Sequence, residues 1–419
     1  MSSTFSVALS ALKAQSEAID ITGNNLANMN TDGFKGSTVQ FKDLFSEYLG
    51  DDTGFQLGLG VGAPINTQVF TQGGIQSSTS PMSAAIEGNG FFVVASPSNQ
   101  QLYTRDGNFQ ISSSGALQTQ TGENVQGWVA TATGINTNAA PGDITLPTGT
   151  VLPPVATKNM SMNANLDATG TVGSSTGTFS VPIQVVDSLG ATHILTATFT
   201  KSATPNTWTY DVTVPGGDLI GGTAGTQVSV LSTPGTLTFN NDGTMSPTNT
   251  SPVPMSITNL ADGAANLNIN WNLFNPDGSG MITQYDETSN LASSSQDGEQ
   301  AAQLNQVALQ NGGQVVASYS NGEQKVVAQL ALAAIQNPDS LQNVGNNNFA
   351  TTTNTATPAI GAPQTGGRGQ ILGNSIEGSN VDMATEFTNL IVYQSAYQAS
   401  SRVITTADQI TQDLLNLIH

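Results

Sequence analysis

The 419 residues carry a formal net charge of −20 with nine Lys plus Arg, and 9% of the chain is charged against about 25% in an average protein. So few cations, none of them clustered, exclude counterion-displacing contacts with nucleic acid and attraction to an anionic membrane surface. The absence of Cys excludes disulfides, thiolate metal sites and Cys nucleophiles, and length sets an expectation of two to four domains.

The chain begins with Ser2, Ser3 and Thr4, candidate N-caps, followed by Phe5, Leu12, Ile19 and Leu26 at intervals of seven, with Leu9 on the same face. This predicts an amphipathic helix ending near Asn28 to Asn30. The segment lacks the basic start and apolar core of a cleavable signal peptide, and no apolar run is long enough to span a bilayer. A cytosolic location follows unless export uses another route. Asp32-Gly33 then marks a turn, and Phe41, Leu44, Phe45, Tyr48 and Leu49 form a short helical or mixed apolar patch.

From Phe55 the texture becomes Gly-rich. Leu57-Gly58-Leu59-Gly60-Val61-Gly62 has the wrong glycine spacing for a dinucleotide fingerprint, and no strand precedes it or helix follows it; it reads as a Gly-softened strand. Hairpins follow: the apolar strand Phe91-Phe92-Val93-Val94, then Leu102 to Arg105, the turn Asp106-Gly107, and Phe109 and Ile111 in alternation. Past the Pro-rich boundary at 141–154, Val181, Ile183 and Val185 alternate, as do His193, Leu195, Ala197 and Phe199, and Trp208, Tyr210, Val212 and Val214. With Leu237 to Phe239 and Ile257, Leu267, Ile269 and Trp271, these predict an all-β barrel or sandwich. Asn321-Gly322 between apolar runs is a hairpin signal.

The region 380–419 reads as a second long helix without Pro or Gly. Met383, Leu390, Tyr397 and Ile404 recur every seventh residue, and Ala396, Val403, Ile410 and Leu417, with Leu414 beside them, form a second series. A seven-residue period keeps one apolar stripe along a supercoiled helix. The fold expected is therefore α+β and multidomain: long N- and C-terminal helices pairing as a coiled-coil-like inner domain, with mainly-β nested middle domains. The expected boundaries are 1–30 with 375–419 (terminal helices), 31–72 (linker), 73–145 with 285–374 (discontinuous middle domain) and 146–284 (inserted β domain).

No catalytic, cofactor-binding or metal site is expected. His193 and His419 are the only histidines, too isolated for a triad or a zinc site. Asn275-Pro276-Asp277-Gly278-Ser279-Gly280 with Asp286 has the donor spacing of a calcium loop but no flanking helices, and reads as a turn. Asp382 and Glu386, four apart, sit where carboxylates offset a helix N-terminal dipole rather than where a glycosidase pair would face a cleft.

Taken together, the two ends resemble the bacterial flagellar rod and hook family. Asn24, Asn25 and Asn28, then Gly33, Phe34 and Lys35, match its N-terminal signature; Glu377-Gly378-Ser379-Asn380-Val381-Asp382 and the stretch around Tyr397 match its C-terminal one. The stretches Val125 to Trp128, Val186 to Gly190 and Tyr319 to Gly322 are similar to hook subunits, with a distal-rod subunit as the alternative and a β-rich surface adhesin behind it. One departure is Gly378, where the family often carries a bulkier residue; it is expected to loosen the start of the last helix. The resemblance implies a structural protein and not an enzyme. It implies self-polymerisation into a flexible curved tube transmitting torque from rod to filament, with the inserted domain facing outward. The tube would be lined by Phe5, Leu9, Leu12, Ile19, Leu26, Met383, Leu390, Tyr397, Val403, Ile404, Ile410, Leu414 and Leu417. Implied partners are further copies of the chain, the hook cap protein, rod and hook-filament junction proteins, and the flagellar type III export apparatus, which needs no cleaved signal peptide. Neither nucleic acid nor membrane insertion is implied.

Overall fold

The computed structural model describes residues 2–45, 58–131, 134–149 and 151–417. Tyr48, Leu49, Phe55, Leu57 and His419 lie outside them, and the side chains of Leu414 and Leu417 are likewise outside the described set. Two long helices, α1 (Ser2–Ala27) and α2 (Met383–Leu417), bracket a chain that is otherwise mainly β. No helix among the described residues is long and apolar enough to cross a membrane. Two compact units divide the chain: Met1–Thr148 with Asn305–Ser318 and Gln324–His419, and Gly149–Leu304 with Tyr319–Glu323.

In the first unit both helices end on side-chain chemistry. Asn28 closes α1 by bonding back to Asn24, its backbone N–H to the Asn24 carbonyl at 3.2 Å and its side chain to the same oxygen at 2.9 Å. Asp382 opens α2: its Oδ1 accepts the Thr385 N–H at 2.8 Å, satisfying one of the unpaired donors of the first turn. The second helix thus starts at Met383 rather than at Asn380.

The buried residues of α1 are small: Ala8, Ala14, Ala18, Thr22 and Asn25. Small side chains let neighbouring backbone come close, and α1 packs against α2 and the strands Ser37–Gln40 and Gly58–Val61. Val61 N–H donates to Ser10 Oγ at 3.1 Å, and a Cβ at Gly60 would strike that same oxygen. Gly60 therefore serves close strand–helix packing. The apolar patch before it contains a strand, Asp43–Phe45, where a helical or mixed segment is expected.

The β part of this unit centres on Phe91–Ala95, buried along its whole length. It pairs antiparallel with Gln101–Thr104 (Val93 opposite Tyr103) and with Asn124–Val129 (Val94 opposite Val125), and the latter pairs with Gln324–Leu330 (Gly127 opposite Leu330). Phe70, Phe91 and Phe349 meet edge to face, with centroids 5.2–6.2 Å apart, the geometry the ring quadrupoles favour.

The second unit is a β-sandwich. One sheet runs Val253–Ile257, Leu267–Asn272, Asn159–Asp167 and Ile282–Tyr285; the other runs Thr178–Val186, Thr192–Lys201, Thr207–Pro215 and Gln227–Ser229. Inward residues alternate along the strands, as in Trp208, Tyr210, Val212 and Val214, and the inner faces share one core. Trp271 stands nearly perpendicular to Tyr210 at 5.2 Å, and its ring lies 6.0 Å from Phe199. Asp277 accepts the Ser279 N–H at 2.9 Å and its hydroxyl at 2.6 Å, closing the Asn275–Gly280 turn.

Candidate functional site

The signature residues of the two chain ends converge on one buried carboxylate. Glu377 Oε1 accepts Lys35 Nζ at 2.7 Å and the Gly73 N–H at 2.9 Å, and Oε2 accepts Arg105 Nη1 at 3.1 Å. All three charged side chains are withdrawn from water, Lys35 and Glu377 completely. Two cations surround one anion, and two further donors go to main-chain oxygens, Lys35 Nζ to Thr71 O at 2.8 Å and Arg105 Nη2 to Gly88 O at 2.9 Å, while Arg105 Nε is buried without a hydrogen-bond partner. The Arg105 guanidinium also lies over the Phe91 ring, 5.2 Å from its centroid. Burial pulls the Lys35 ammonium and the Arg105 guanidinium below their ordinary pKa values, and the Glu377 carboxylate works against that pull.

Around this centre the other signature residues act as hydrogen-bonding struts. Asn380 Oδ1 accepts the Gly36 N–H at 2.8 Å, while its Nδ2 donates to Val69 O at 2.7 Å. Asn25 exchanges two bonds with the backbone of Ser37, at 2.7 and 2.9 Å, and donates to Glu386 Oε1 on α2 at 3.0 Å. Asp32 Oδ2 accepts Asn108 Nδ2 at 2.7 Å, and its carbonyl accepts Asn347 Nδ2 at 2.9 Å. Gly33 donates its N–H to Glu377 O at 2.7 Å; it sits at φ +69°, and any Cβ there would lie 2.5 Å from the Asp106 nitrogen. Only glycine fits that turn. Phe34 is buried beside it, Ser379 Oγ accepts the Val381 N–H at 3.2 Å, and Asp382 caps α2. Gly378 donates its N–H to Gly74 O at 2.9 Å.

The matches to known proteins fall on these segments. Residues 5–35 match the family described as flagella basal body rod protein, and 373–417 the flagellar basal body rod FlgEFG protein C-terminal. Residues 85–180 match the flagellar hook protein FlgE/F/G D1 domain, and 156–299 the flagellar basal body protein FlaE D2 domain. The chain is similar to the flagellar hook protein FlgE of Salmonella typhimurium, 32% identical over 99% of this chain and 100% of the relative. It is 30% identical, over 98% of each chain, to the flagellar hook protein FlgE of Borreliella burgdorferi. This chain belongs to the flagellar hook protein family. It is a structural subunit of the hook. The crystal structure of Helicobacter pylori flagellar hook protein FlgE2 shares its fold over 71% of this chain and 99% of that one, with a TM-score of 0.52 at 13% identity.

In this hook subunit α2 has a half-buried seam running through Glu386, Leu390, Tyr393, Tyr397, Ile404, Ala407 and Thr411. Tyr393 meets Phe41 edge on, 6.1 Å between centroids. At about 100° per residue, Phe387 and Ile391 fall to one side of the seam and Val392, Val403 and Ile410 to the other; all five are exposed, Ile391 at 63%. Met383 is exposed as well. On α1, Phe5 and Leu9 are exposed and Leu12, Ile19 and Leu26 half-buried. Its buried face is the set of small residues, set off from the apolar seven-residue series.

Sequence reading missed Arg105 and the role of Glu377. Their signal was the rarity of charge itself: each sits in an apolar or Gly-rich surrounding in a chain nearly free of ions. It also missed Phe387 and Ile391, an i, i+4 pair that belongs to neither seven-residue series. His193 is a correction: it is buried among carboxylates that distant turns bring to it.

Glu377→Gln leaves two buried cations without a counter-charge. It is expected to lower the unfolding free energy by about 3–5 kcal/mol, measured by urea denaturation with hydrogen exchange reporting on residues 31–37. Asp106 gives a pH test. Burial, with Asp32 adding to it, pushes its carboxyl up to about 6 against backbone and side-chain hydrogen bonds from Asn108. Because the folded-state value lies above the ordinary 3.8, the group's contribution is fully present below that value and is lost as pH rises through about 6. Asp106→Asn is therefore expected to be more stable than the parent at pH 8 by about 1–3 kcal/mol, with the gap closing at pH 4.

Proposed function

We propose that this hook subunit polymerises into a flexible, curved tube that transmits torque from rod to filament, with α1 and α2 pairing in coiled-coil fashion to form its inner layer. The observation that carries this reading is the apolar surface flanking the seam of α2: Phe387 and Ile391 on one side, Val392, Val403 and Ile410 on the other. A lone helix gains nothing by holding these in water. Burying each against a neighbouring copy contributes about 1.5–3 kcal/mol, and the repeat along the helix multiplies the grip. The low charge supports the mechanical half of the reading. Subunit contacts built from Ser, Thr, Asn and Gln are worth about 0.5–1.5 kcal/mol net apiece, so they can exchange during bending while the helical layer holds.

In this reading the residues 1–30 and 375–419 supply the inner layer and residues 31–72 the link to the β body. The chain meets the hook cap protein during growth, rod proteins at one end and hook-filament junction proteins at the other, and leaves the cell through the flagellar type III apparatus without a cleaved signal peptide. Its work is mechanical rather than catalytic.

Ile391→Asp separates assembly from folding, because the side chain is already in water in the single chain. The monomer is expected to keep its circular dichroism and to unfold within about 0.5 kcal/mol of the parent. Electron microscopy of detached flagella should show no curved segment at the filament base. Hooks of normal length and curvature in this variant would remove α2 from the polymer interface.

A further inference from the structure

The second unit holds a cluster of one histidine and three carboxylates. His193 projects inward from the strand Thr192–Lys201, opposite Val185, and is buried. Three carboxylates reach it from three separate turns. Asp187 follows the strand Thr178–Val186, Asp218 ends the 3-10 turn Gly216–Asp218, and Asp262 lies just beyond Leu260. Those turns are tied together by main-chain bonds, Ala261 N–H to Asp218 O at 2.9 Å and Ile220 N–H to Asn259 O at 2.8 Å, and by Ala265 N–H to Ser188 Oγ at 2.9 Å.

The two sides of the imidazole differ. Nδ1 lies 3.0 Å from Asp218 Oδ2, an ordinary hydrogen-bond length. With its proton on Nδ1, the ring presents the Nε2 lone pair on its other side. There Asp187 Oδ2 stands at 3.3 Å and Asp262 Oδ2 at 3.5 Å. These are longer than charge-assisted hydrogen bonds of about 2.7–2.9 Å. They match the edge of a tetrahedron with bonds near 2.0–2.1 Å, which is about 3.3 Å. Each carboxylate is also aimed before any ligand arrives. Asp187 Oδ1 accepts the Leu189 and Ala191 N–H groups, both at 2.8 Å, and Asp262 Oδ1 accepts the Ala264 N–H at 3.0 Å. The Oδ2 atoms are left facing Nε2, and the three candidate donor atoms lie within 4.8 Å of one another.

We propose that Asp187 Oδ2, His193 Nε2 and Asp262 Oδ2 bind one divalent transition-metal cation of the Zn²⁺ type, with water as the fourth ligand and Asp218 orienting the ring through Nδ1. One imidazole and two carboxylates suit zinc better than calcium, which prefers oxygen alone. The histidine–carboxylate pair on the far side is the arrangement that fixes the tautomer of metal-bound imidazoles. The cation acts as a clasp, joining the 187–192 hairpin to the turns at 216–218 and 260–264.

The test uses the full-length chain, stripped with a chelator and titrated with ZnCl₂, read by calorimetry, elemental analysis and thermal unfolding. One equivalent is expected to bind saturably and to raise the unfolding temperature of the sandwich. Asp262→Asn, on a solvent-facing turn, should weaken binding at least tenfold. Asp218→Asn should weaken it about 10- to 100-fold although it never touches the ion, whereas Asp277→Asn, an exposed carboxylate in the same unit, should bind as the parent does. Absence of saturable uptake, or equal uptake by the parent and Asp262→Asn, would overturn the proposal and leave a His–carboxylate hydrogen-bond network. Neither outcome bears on hook assembly.

Discussion

Glu377 is the point on which the first unit depends. Its carboxylate is fully buried, and its neighbours come from two other parts of the chain: Lys35 from the N-terminal signature, Arg105 and Gly73 from the segment between. A buried ion pair is a poor source of net stability, because desolvation offsets most of the Coulombic gain. It is a strong source of uniqueness. A chain with nine Lys plus Arg has few ways to neutralise a buried carboxylate, and two of those nine are committed here. A misplaced register would leave at least one charge alone in a dry site. The arrangement thus selects a single way of joining the two ends of the chain, and the bonds of Asn25, Asn380 and Asp32 repeat that selection with neutral groups.

The second unit is held differently. Its core is apolar and contiguous, built from alternating strand residues around Trp208, Phe199 and Trp271. Its exposed strand faces are tied by uncharged side-chain pairs such as Ser161 with Ser295 and Ser180 with Thr198. Such pairs are individually weak and insensitive to salt. No single exposed contact of this kind carries much of the unit's stability.

The strands of the sandwich were legible in the sequence because a period of two in apolar residues has one physical cause, a sheet with one wet and one dry face. Val181, Ile183 and Val185 are buried where alternation puts them, and so are Ile257, Leu267 and Ile269. α1 was legible from its seven-residue apolar series and N-caps, and α2 from its length and its lack of Pro and Gly. Which face α1 buries was not. Apolar periodicity points to Phe5, Leu12, Ile19 and Leu26, whereas close packing against α2 and the strands Ser37–Gln40 and Gly58–Val61 buries the small residues Ala8, Ala14, Ala18 and Thr22. The carboxylate junction was half legible: its residues lie in recognisable segments, but Lys35 and Glu377 are 342 positions apart, and no local pattern encodes a pairing over that distance. The surroundings of His193 were illegible for the same reason, since three turns supply its neighbours.

The buried junction sets the phase of the exposed helix surface. Asp382 caps α2 only a few residues beyond Glu377, and Glu386 in the first turn of the helix accepts from Asn25 on α1. Position and rotation of the helix are therefore set at its N-terminal end by polar contacts that tolerate little slippage. Rotation matters because a helix turns about 100° per residue: a slip of one residue at Asp382 would carry Phe387 into the seam and Glu386 out of it. An apolar surface is non-directional by itself and would accept many partners and registers. Rigid phasing from a charged, desolvated anchor gives such a surface a defined direction, which repeated addition of identical subunits requires.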